Sequence, residues 1–234
     1  MMTETEIETK TEESVLDEMF KAGVHFGYSR SSRHPSMKPV IYGMKNRVEI
    51  INLEKTVEYL EKAKAFIRTL AAGGKTVLFV GTKNESKAVV RAAAELAGMP
   101  YVTERWAGGI FTNFEEMKKR IARLKELREK KEKGELDVYT KKERLLLSRE
   151  EDRLVKLFGG IVDMSHLPAA IFVVDTKKEK NAVAEAKKMG IPVIALMNSD
   201  CDFRDAEFPI PGNDASVASI RFITGELVSA LKGE

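Results

Sequence analysis

Short apolar runs alternate with amphipathic helical stretches along this chain, and that alternation most constrains its fold. The strands we predict are Val40–Tyr42, Val48–Ile51, Thr76–Gly81, Pro100–Thr103, Ala170–Asp175 and Pro192–Met197. The helices we predict are Glu54–Ala71, Glu85–Ala97, Lys178–Met189 and Ala215–Leu231. Gly98 and Gly190 each follow a helix and precede a proline-led strand, as left-handed helix caps do. Strands separated by helices indicate an α/β domain with a mainly parallel sheet and helices on both faces.

One segment interrupts this alternation, because Asn113 to Leu157 contains no predicted strand and is dense in charge. Its apolar residues recur at helical spacing, which predicts two helices that fold back on each other as a coiled-coil hairpin. We therefore predict an acidic disordered tail at 1–13, an α/β core at 14–112 and 158–234, and an inserted helical hairpin at 113–157. Interspersed charge is typical both of a solvated coiled coil and of a docking arm, so both interpretations stay open.

Composition favours a folded, cytoplasmic protein. The 234 residues are 43% apolar, which is enough to fill a core. The single cysteine, Cys201, cannot form an internal disulfide, and no charged-then-apolar leader opens the chain, so we expect a reducing compartment. No apolar run approaches the roughly 20 residues that a membrane span needs.

Basic residues concentrate in one part of the chain, although the formal net charge is only +3. From Phe20 to Val48 there is no carboxylate, and basic and aromatic side chains are interleaved there. This pattern is typical of a nucleic-acid-binding surface. We expect Phe26 to lie in the core, because an aromatic residue among apolar neighbours is usually buried.

The stretch TVLFVGTKNESK, Thr76 to Lys87, has the strand, glycine and helix of a phosphate-binding junction. It offers one glycine instead of G-x-G-x-x-G, and Thr82 or Asn84 capping the next helix explains the same residues. The Gly74-Lys75 pair lacks the glycine that a P-loop needs five residues earlier. A nucleotide-dependent enzyme is therefore the weaker interpretation.

The sequence also argues against a metal or another cofactor. His25, His34, His166 and Cys201 lack the spacing of a zinc site. The acids between Asn198 and Asp214 lack the spacing of a Ca²⁺ loop, so we expect Asx turns there and a helix cap at Asn213 or Asp214. We predict no catalytic residue, no metal and no cofactor.

Several long segments resemble one known family in order and spacing. They are AGVHFGYSRSSRHPSMKPVIYG from Ala22, LFVGTK from Leu78, PYVTERWAGGIFTNF from Pro100, FGGIVDMSHLPAAIFVVDT from Phe158, GIPVIALMNSDCD from Gly190 and FPIPGNDASVASI from Phe208. The chain resembles the bacterial small-subunit ribosomal protein S2 family from about Val15 to Leu231. Two positions depart from the family pattern: Tyr28, where a second histidine is usual, and N-S-D-C-D-F from Asn198, where T-N-C-D-P is more common.

This resemblance implies a non-enzymatic ribosomal protein with a flavodoxin-like three-layer core, sheet order 2-1-3-4-5, and an inserted hairpin laid against RNA. It also implies binding to small-subunit ribosomal RNA, neighbouring small-subunit proteins, and help in recruiting ribosomal protein S1. The chain would be cytoplasmic and monomeric within the ribosome, with no membrane partner. The alternative is an RNA-binding or scaffolding protein unrelated to the ribosome.

We expect the phosphates of that RNA to meet basic side chains, since Arg gives bidentate contacts and Lys acts as a point charge. The candidate RNA-binding residues are Tyr28, Arg30, Arg33, Lys38, Lys45, Arg47, Lys83, Arg105, Lys118, Lys119, Arg120 and Arg123. Tyr28, or Phe26 if it were not in the core, would stack on an unpaired base. Trp106 is predicted to pack over Gly108 and Gly109, Lys83 is equally well a plain surface lysine, and the hairpin lysines could simply pair with glutamates.

Overall fold

A computed structural model describes residues 14–233, so the predicted acidic tail at 1–13 lies outside the described residues. The strands are β1 Phe26–Ser29, β2 Ile41–Lys45, β3 Val48–Ile51, β4 Val77–Val80, β5 Tyr101–Val102, β6 Ala170–Val174, β7 Val193–Met197 and β8 Phe208–Pro211. The helices are α1 over residues 14–22, α2 Leu53–Ala72, α3 Asn84–Ala97, α4 Phe114–Glu132, α5 Lys141–Phe158, α6 Lys180–Lys188 and α7 Val217–Lys232. No helix within residues 14–233 combines the length and apolar character needed to cross a membrane.

The main sheet is five-stranded and parallel, with the order β5-β4-β6-β7-β8. Counted along the chain within this sheet, that is the order 2-1-3-4-5, which confirms a flavodoxin-like arrangement. Every residue of β4, β6 and β7 is buried. Such continuous apolar runs form central strands because helices cover both faces of a parallel sheet.

Alternate residues of β4 divide the core into two layers. Val77 and Phe79 face a cluster formed with α2, α3 and α7. Leu78 and Val80 face the opposite cluster, which contains α6 and the bases of α4 and α5. The three-layer core follows from the two-residue period of the strand, and the base of the helical pair belongs to one of these layers.

A smaller antiparallel sheet, with the order β1-β3-β2, precedes the main sheet in the chain. Its strands β2 and β3 are joined at Asn46 and Arg47, which both have positive φ, at 50° and 65°. Two consecutive residues with positive φ are typical of a type I′ hairpin turn. The prediction that Phe26 is buried is wrong, because its side chain is 48% exposed and lies against the ring of His25.

The helix caps follow local rules in part. Gly98 and Gly190 have φ of 64° and 67°, which confirms both as left-handed positions after their helices.

Strands β1 and β8 were missed by the sequence prediction. Pro209 and Pro211 argued against a strand at β8, but these prolines are tolerated there because β8 lies at the edge of the sheet.

Helices α4 and α5 occupy the segment that interrupts the alternation. They are joined by residues 133–140, and Thr140 begins α5 with a reciprocal pair of hydrogen bonds to Glu143, a capping box. Ion pairs connect the two helices, from Arg123 to Glu150 at 3.2 Å and from Lys131 to Glu151 at 2.8 Å. Their description as a coiled coil stays a prediction, and so does the division of the chain into tail, core and hairpin.

Candidate nucleic-acid interface

The carboxyl edge of the parallel sheet, where α/β proteins usually bind ligands, is closed by an internal ionic cluster. The Lys83 ammonium, just after β4, lies 2.7 Å from Asp175 Oδ2 and 2.7 Å from Asp214 Oδ2. Asn198 donates its amide N–H to Asp214 Oδ1 at 2.9 Å. Burial opposes the charge of Lys83, but the two carboxylates outweigh it and raise the pKa of this side chain. The Lys83 ammonium is therefore already paired within the protein, and these contacts do not support its predicted role in RNA binding.

The helix after β4 also begins differently from the prediction. Helix α3 follows Lys83 without any side-chain cap, so the expected cap by Thr82 or Asn84 is wrong. Thr82 instead donates its backbone N–H, at 2.9 Å, and its hydroxyl to the buried Glu179 carboxylate. That partner is 97 residues away in the chain, which is why local sequence did not reveal it.

The helix cap expected at Asn213 or Asp214 is also wrong, because Asn213 forms an Asx turn and Asp214 forms an ion pair instead. Asn213 Oδ1 accepts a hydrogen bond from the Ala215 backbone N–H at 3.0 Å, which is the expected Asx turn. Asp214 is taken up by the Lys83 ion pair, and α7 begins after Ser216 without a side-chain cap.

The small antiparallel sheet lies over this edge. Tyr28 donates its backbone N–H to Ser199 Oγ at 2.9 Å, and Lys83 Nζ donates to the Tyr28 hydroxyl at 3.3 Å. A Cβ added at Gly27 would lie 3.0 Å from the backbone oxygen of Glu49 and 3.2 Å from Ser199 Oγ. The crevice that holds a nucleotide in other flavodoxin-like proteins is thus filled by the chain's own residues, and Tyr28 is partly buried within it.

Outside this cluster, the carboxylate-free segment presents cations to solvent. Arg30 and Lys38 lie on the loop between β1 and β2, and Lys45 and Arg47 lie at the β2–β3 turn. All four are exposed, and none has an ion pair within residues 14–233. Arg33 differs, because it is half-buried and its Nη1 donates to Glu49 Oε1 at 3.0 Å.

The cations predicted on α4 are mostly paired with their own helix. Lys118 pairs with Glu115 at 3.0 Å and Lys119 with Glu116 at 3.2 Å. Arg123 pairs with glutamates on both α4 and α5. Arg120 is the exception among the predicted α4 cations, since it has no ion-pair partner in the described part of the chain.

Two adjoining grooves on the helical pair bring together predicted cations, Arg105 and Arg120, and three that the sequence prediction missed, Arg149, Arg153 and Lys156. The first, of about 620 Å³, lies between α4 and α5, and the second, of about 530 Å³, lies between α5 and the loop before α4. The cations that line them without an ion pair in the described range are Arg105, Arg120, Arg149, Arg153 and Lys156. On α5 the steps of four and three between Arg149, Arg153 and Lys156 predict a stripe on one helix face, and that signal was available in the sequence.

The loop before α4 is held by packing. Trp106 is 7% exposed and meets the Phe111 ring edge-on, with the ring centres 5.0 Å apart, which confirms it as a packing residue. Its predicted packing over Gly108 and Gly109 stays a prediction. Its indole N–H donates to Glu185 Oε1 at 3.0 Å. Arg105, the preceding residue, lines the second groove.

The fold and this surface define a class: an α/β protein with a flavodoxin-like sheet, a closed ligand edge and an inserted, cation-bearing helical pair. A family model described as "Ribosomal protein S2" matches residues 19–233. The chain belongs to the ribosomal protein S2 family, which is a family of ribosomal proteins and not of enzymes.

Similar proteins carry the matching name "Small ribosomal subunit protein uS2". The one from Coprothermobacter proteolyticus is 46% identical over 216 residues, which is 92% of this chain and 81% of that protein. The one from Chlorobaculum tepidum is 46% identical over 88% of this chain and 82% of that protein. The one from Chloroherpeton thalassium is 45% identical over 92% of this chain and 86% of that protein. These matches confirm the family that the sequence motifs indicated.

Proposed function

We propose that this chain is a structural constituent of the small ribosomal subunit in the cytoplasm and that it binds small-subunit ribosomal RNA as a single copy. The family match and the name of its relatives support the assignment to the small subunit. Basic loops and the helical pair would make the RNA contacts. Neighbouring small-subunit proteins are the other partners.

The observation that supports RNA binding is the set of cations along the two grooves that form no ion pair within residues 14–233. A cation that is paired within the protein gains little from a phosphate, because it must first give up its carboxylate. A free cation releases the counterions condensed on RNA when it meets a phosphate, which favours binding. Because A-form RNA is recognised largely through its phosphates and shape, a groove lined by arginines suits its backbone.

The proposed contacts divide by this criterion. The residues that we propose as direct phosphate contacts are Arg30, Lys38, Lys45, Arg47, Arg105, Arg120, Arg149, Arg153 and Lys156. The predicted residues Arg33, Lys118, Lys119 and Arg123 would first have to exchange a carboxylate partner for a phosphate. For Tyr28, stacking on a base stays a prediction from the sequence.

Recruitment of ribosomal protein S1 is also part of the proposal. It rests on the family resemblance of the sequence segments, and S1 would add its own RNA-binding surface beside this chain. The contact can be mapped by measuring how much S1 remains on small subunits that carry truncated or surface-substituted variants of this chain. A variant that loses S1 would mark the contact.

The test of RNA binding compares free with paired cations. The double variant Arg149→Glu and Arg153→Glu should weaken binding to small-subunit ribosomal RNA and reduce the slope of log affinity against log salt by roughly one per lost contact. The matched control, Lys118→Glu and Lys119→Glu, makes the same charge change at paired residues of α4 and should alter the slope less. Filter binding across a salt series measures both slopes.

Equal slopes for the two double variants and the unaltered chain would contradict the assignment of the grooves. Co-sedimentation with small subunits provides the second readout, because it reports assembly and not only affinity for free RNA. A chain that never co-sediments would contradict the whole proposal.

A further inference from the structure

One carboxylate on α6 gathers the loop from which α4 starts, residues 106–112, which we call the root loop. Glu185 Oε1 accepts the Trp106 indole N–H at 3.0 Å and the Gly109 backbone N–H at 2.8 Å. Glu185 Oε2 accepts the Phe111 N–H at 3.0 Å, the Thr112 N–H at 3.3 Å and the Thr112 hydroxyl at 3.4 Å. Five hydrogen bonds therefore converge on a single side chain from another part of the fold.

The chemistry of this arrangement requires an ionised carboxylate. Only a carboxylate offers two oxygens that accept several hydrogen bonds and no donor that would repel the converging N–H groups. Burial opposes ionisation of Glu185, but the hydrogen bonds from Gly109, Trp106, Phe111 and Thr112 outweigh it and lower its pKa. Hydrogen bonds to a charged group are also stronger than neutral ones, so the loop is held firmly.

The root loop passes this constraint directly to α4. The Asn113 N–H donates to the Gly109 oxygen at 2.8 Å, and the Met117 N–H donates to the Asn113 oxygen at 3.2 Å. Gly109 itself has a φ of 94°, a conformation that residues with a side chain rarely adopt. The first turn of α4 therefore takes its position from the loop, and α4 has no side-chain cap to fix it otherwise.

The other side of the contact is anchored in the core. Helix α6 packs Ala182 and Ala186 fully buried in the core layer that contains β6 and β7. Glu185 lies on the same short helix and points its carboxylate to the root loop. The contact of Glu185 with the root loop thus fixes the direction of the helical pair relative to the main sheet.

We propose that Glu185 is a positioning residue for RNA binding, which orients the helical pair so that its cations and those of the core contact one RNA surface together. This proposal rests on the proposed function. As an acid, Glu185 would not attract phosphate, so its contribution is through orientation alone. Two sites on a rigid frame bind more tightly than the same sites joined loosely, because the second contact forms at a higher effective concentration.

The Glu185→Gln variant removes this constraint with little change in shape. The amide places an NH₂ group where one oxygen accepted N–H groups, so donors face donors and the root loop loses part of its anchor. The matched control is Glu226→Gln, because Glu226 on α7 makes a side-chain ion pair with Lys64 at 2.8 Å and does not gather a loop. Trp106→Phe is a milder second variant, since it removes one donor and keeps an aromatic ring.

Orientation is measured first, in the full chain without RNA. Spin labels are attached at Ser148→Cys on α5 and Thr69→Cys on α2, which are exposed positions. Cys201 would stay unlabelled, because it is 1% exposed and burial raises its pKa to about 12. The distance distribution should broaden in Glu185→Gln, broaden less in Trp106→Phe, and stay unchanged in Glu226→Gln. An unchanged distribution in both root-loop variants would overturn the proposal.

RNA affinity is measured next on the same variants. Glu185→Gln should weaken binding to small-subunit ribosomal RNA by about tenfold, an order of magnitude typical of coupled contacts, while the salt slope stays as in the unaltered chain. A lower slope would mean lost phosphate contacts, and unchanged affinity despite a broadened distribution would mean that orientation is irrelevant; either result overturns the positioning role. If the unaltered chain fails to bind RNA, the proposed function fails instead, and the distance measurement still reports on the root loop.

Discussion

The carboxyl edge of the parallel sheet and the grooves of the helical pair are both rich in charge, yet they use it in opposite ways. At the sheet edge, Lys83 has carboxylates 2.7 Å away on two sides. In the grooves, Arg149 and Arg153 have no ion pair among residues 14–233. A charge paired inside the protein is required by its buried partner carboxylates, whereas a charge left without a partner at the surface is available for binding. Under the proposed function, internal pairing of the basic residues is therefore a better guide to RNA contacts than their number.

The largest expected effect comes from breaking the closed edge. Lys83→Met would leave Asp175 and Asp214 buried side by side without their cation. Removing one member of a buried ion pair typically costs 3–5 kcal/mol, and because the Lys83 side chain is 17% exposed we expect the lower end, about 3 kcal/mol. Urea unfolding of the variant measures the loss in the free energy of unfolding.

The matched control for that change is Lys118→Met on α4. Its ion pair with Glu115 joins exposed side chains, so stability should change by about 0.5 kcal/mol or less. If the two variants lost the same stability, the distinction between the closed edge and the helical pair would be wrong.

A smaller effect is expected at the β2–β3 turn, where one substitution should raise the stability of the fold and weaken RNA binding. Arg47 has a φ of 65°, in the left-handed region that disfavours side chains, and a type I′ turn prefers glycine at that place. Arg47→Gly should therefore raise the free energy of unfolding by about 0.5 kcal/mol, after the entropic cost of glycine. It should also weaken RNA binding, because a free cation is lost.

Urea unfolding and filter binding on the same preparation test both halves. Lys45→Gly, one residue before the turn pair, removes a neighbouring free cation without relieving a positive φ, so it should weaken binding and not stabilise the chain. Stabilisation by both glycine variants would show that strain at Arg47 is not the cause.

The smallest effect concerns pH and the root loop. The folded pKa of Glu185 lies below its unfolded value, so its contribution is fully present above the unfolded pKa of about 4.3 and is lost as the pH falls through the folded pKa. The distribution of distances between labels on α2 and α5 should stay constant from pH 8 to pH 5 and broaden only below about pH 4.3. The Glu185→Gln variant should lack this dependence on acid, and an identical acid response in that variant would assign the transition to other carboxyls.

The sequence predicted most of the main sheet because central parallel strands carry an unmistakable local pattern. Strands β4, β6 and β7 are continuous apolar runs followed by polar turns, and each lies within its predicted range. Strand β8 was missed because Pro209 and Pro211 disfavour strands in general, and only its place at the sheet edge makes them acceptable. Phe26 was misplaced because local composition does not show which strand face meets solvent.

For the candidate interface, local sequence found the basic segment and the basic helical pair but not the state of each charge. Arg149, Arg153 and Lys156 form a stripe by their spacing alone, while the pairing of Lys118 and Lys119 follows from glutamates three residues earlier. Arg33 pairs with Glu49, 16 residues away, and that contact depends on how β1 and β3 meet.

By itself, the sequence determined the family, the alternation of strands and helices, and the position of two helices between them, because these depend on motifs and on residues close in the chain. The tertiary structure decided which charges are free. Lys83 and Asp214 are 131 residues apart, and Glu185 and Trp106 are 79 residues apart, so each contact exists only after the sheet has formed. A long-range ion pair or hydrogen bond leaves no local pattern, since either partner alone is an ordinary polar residue.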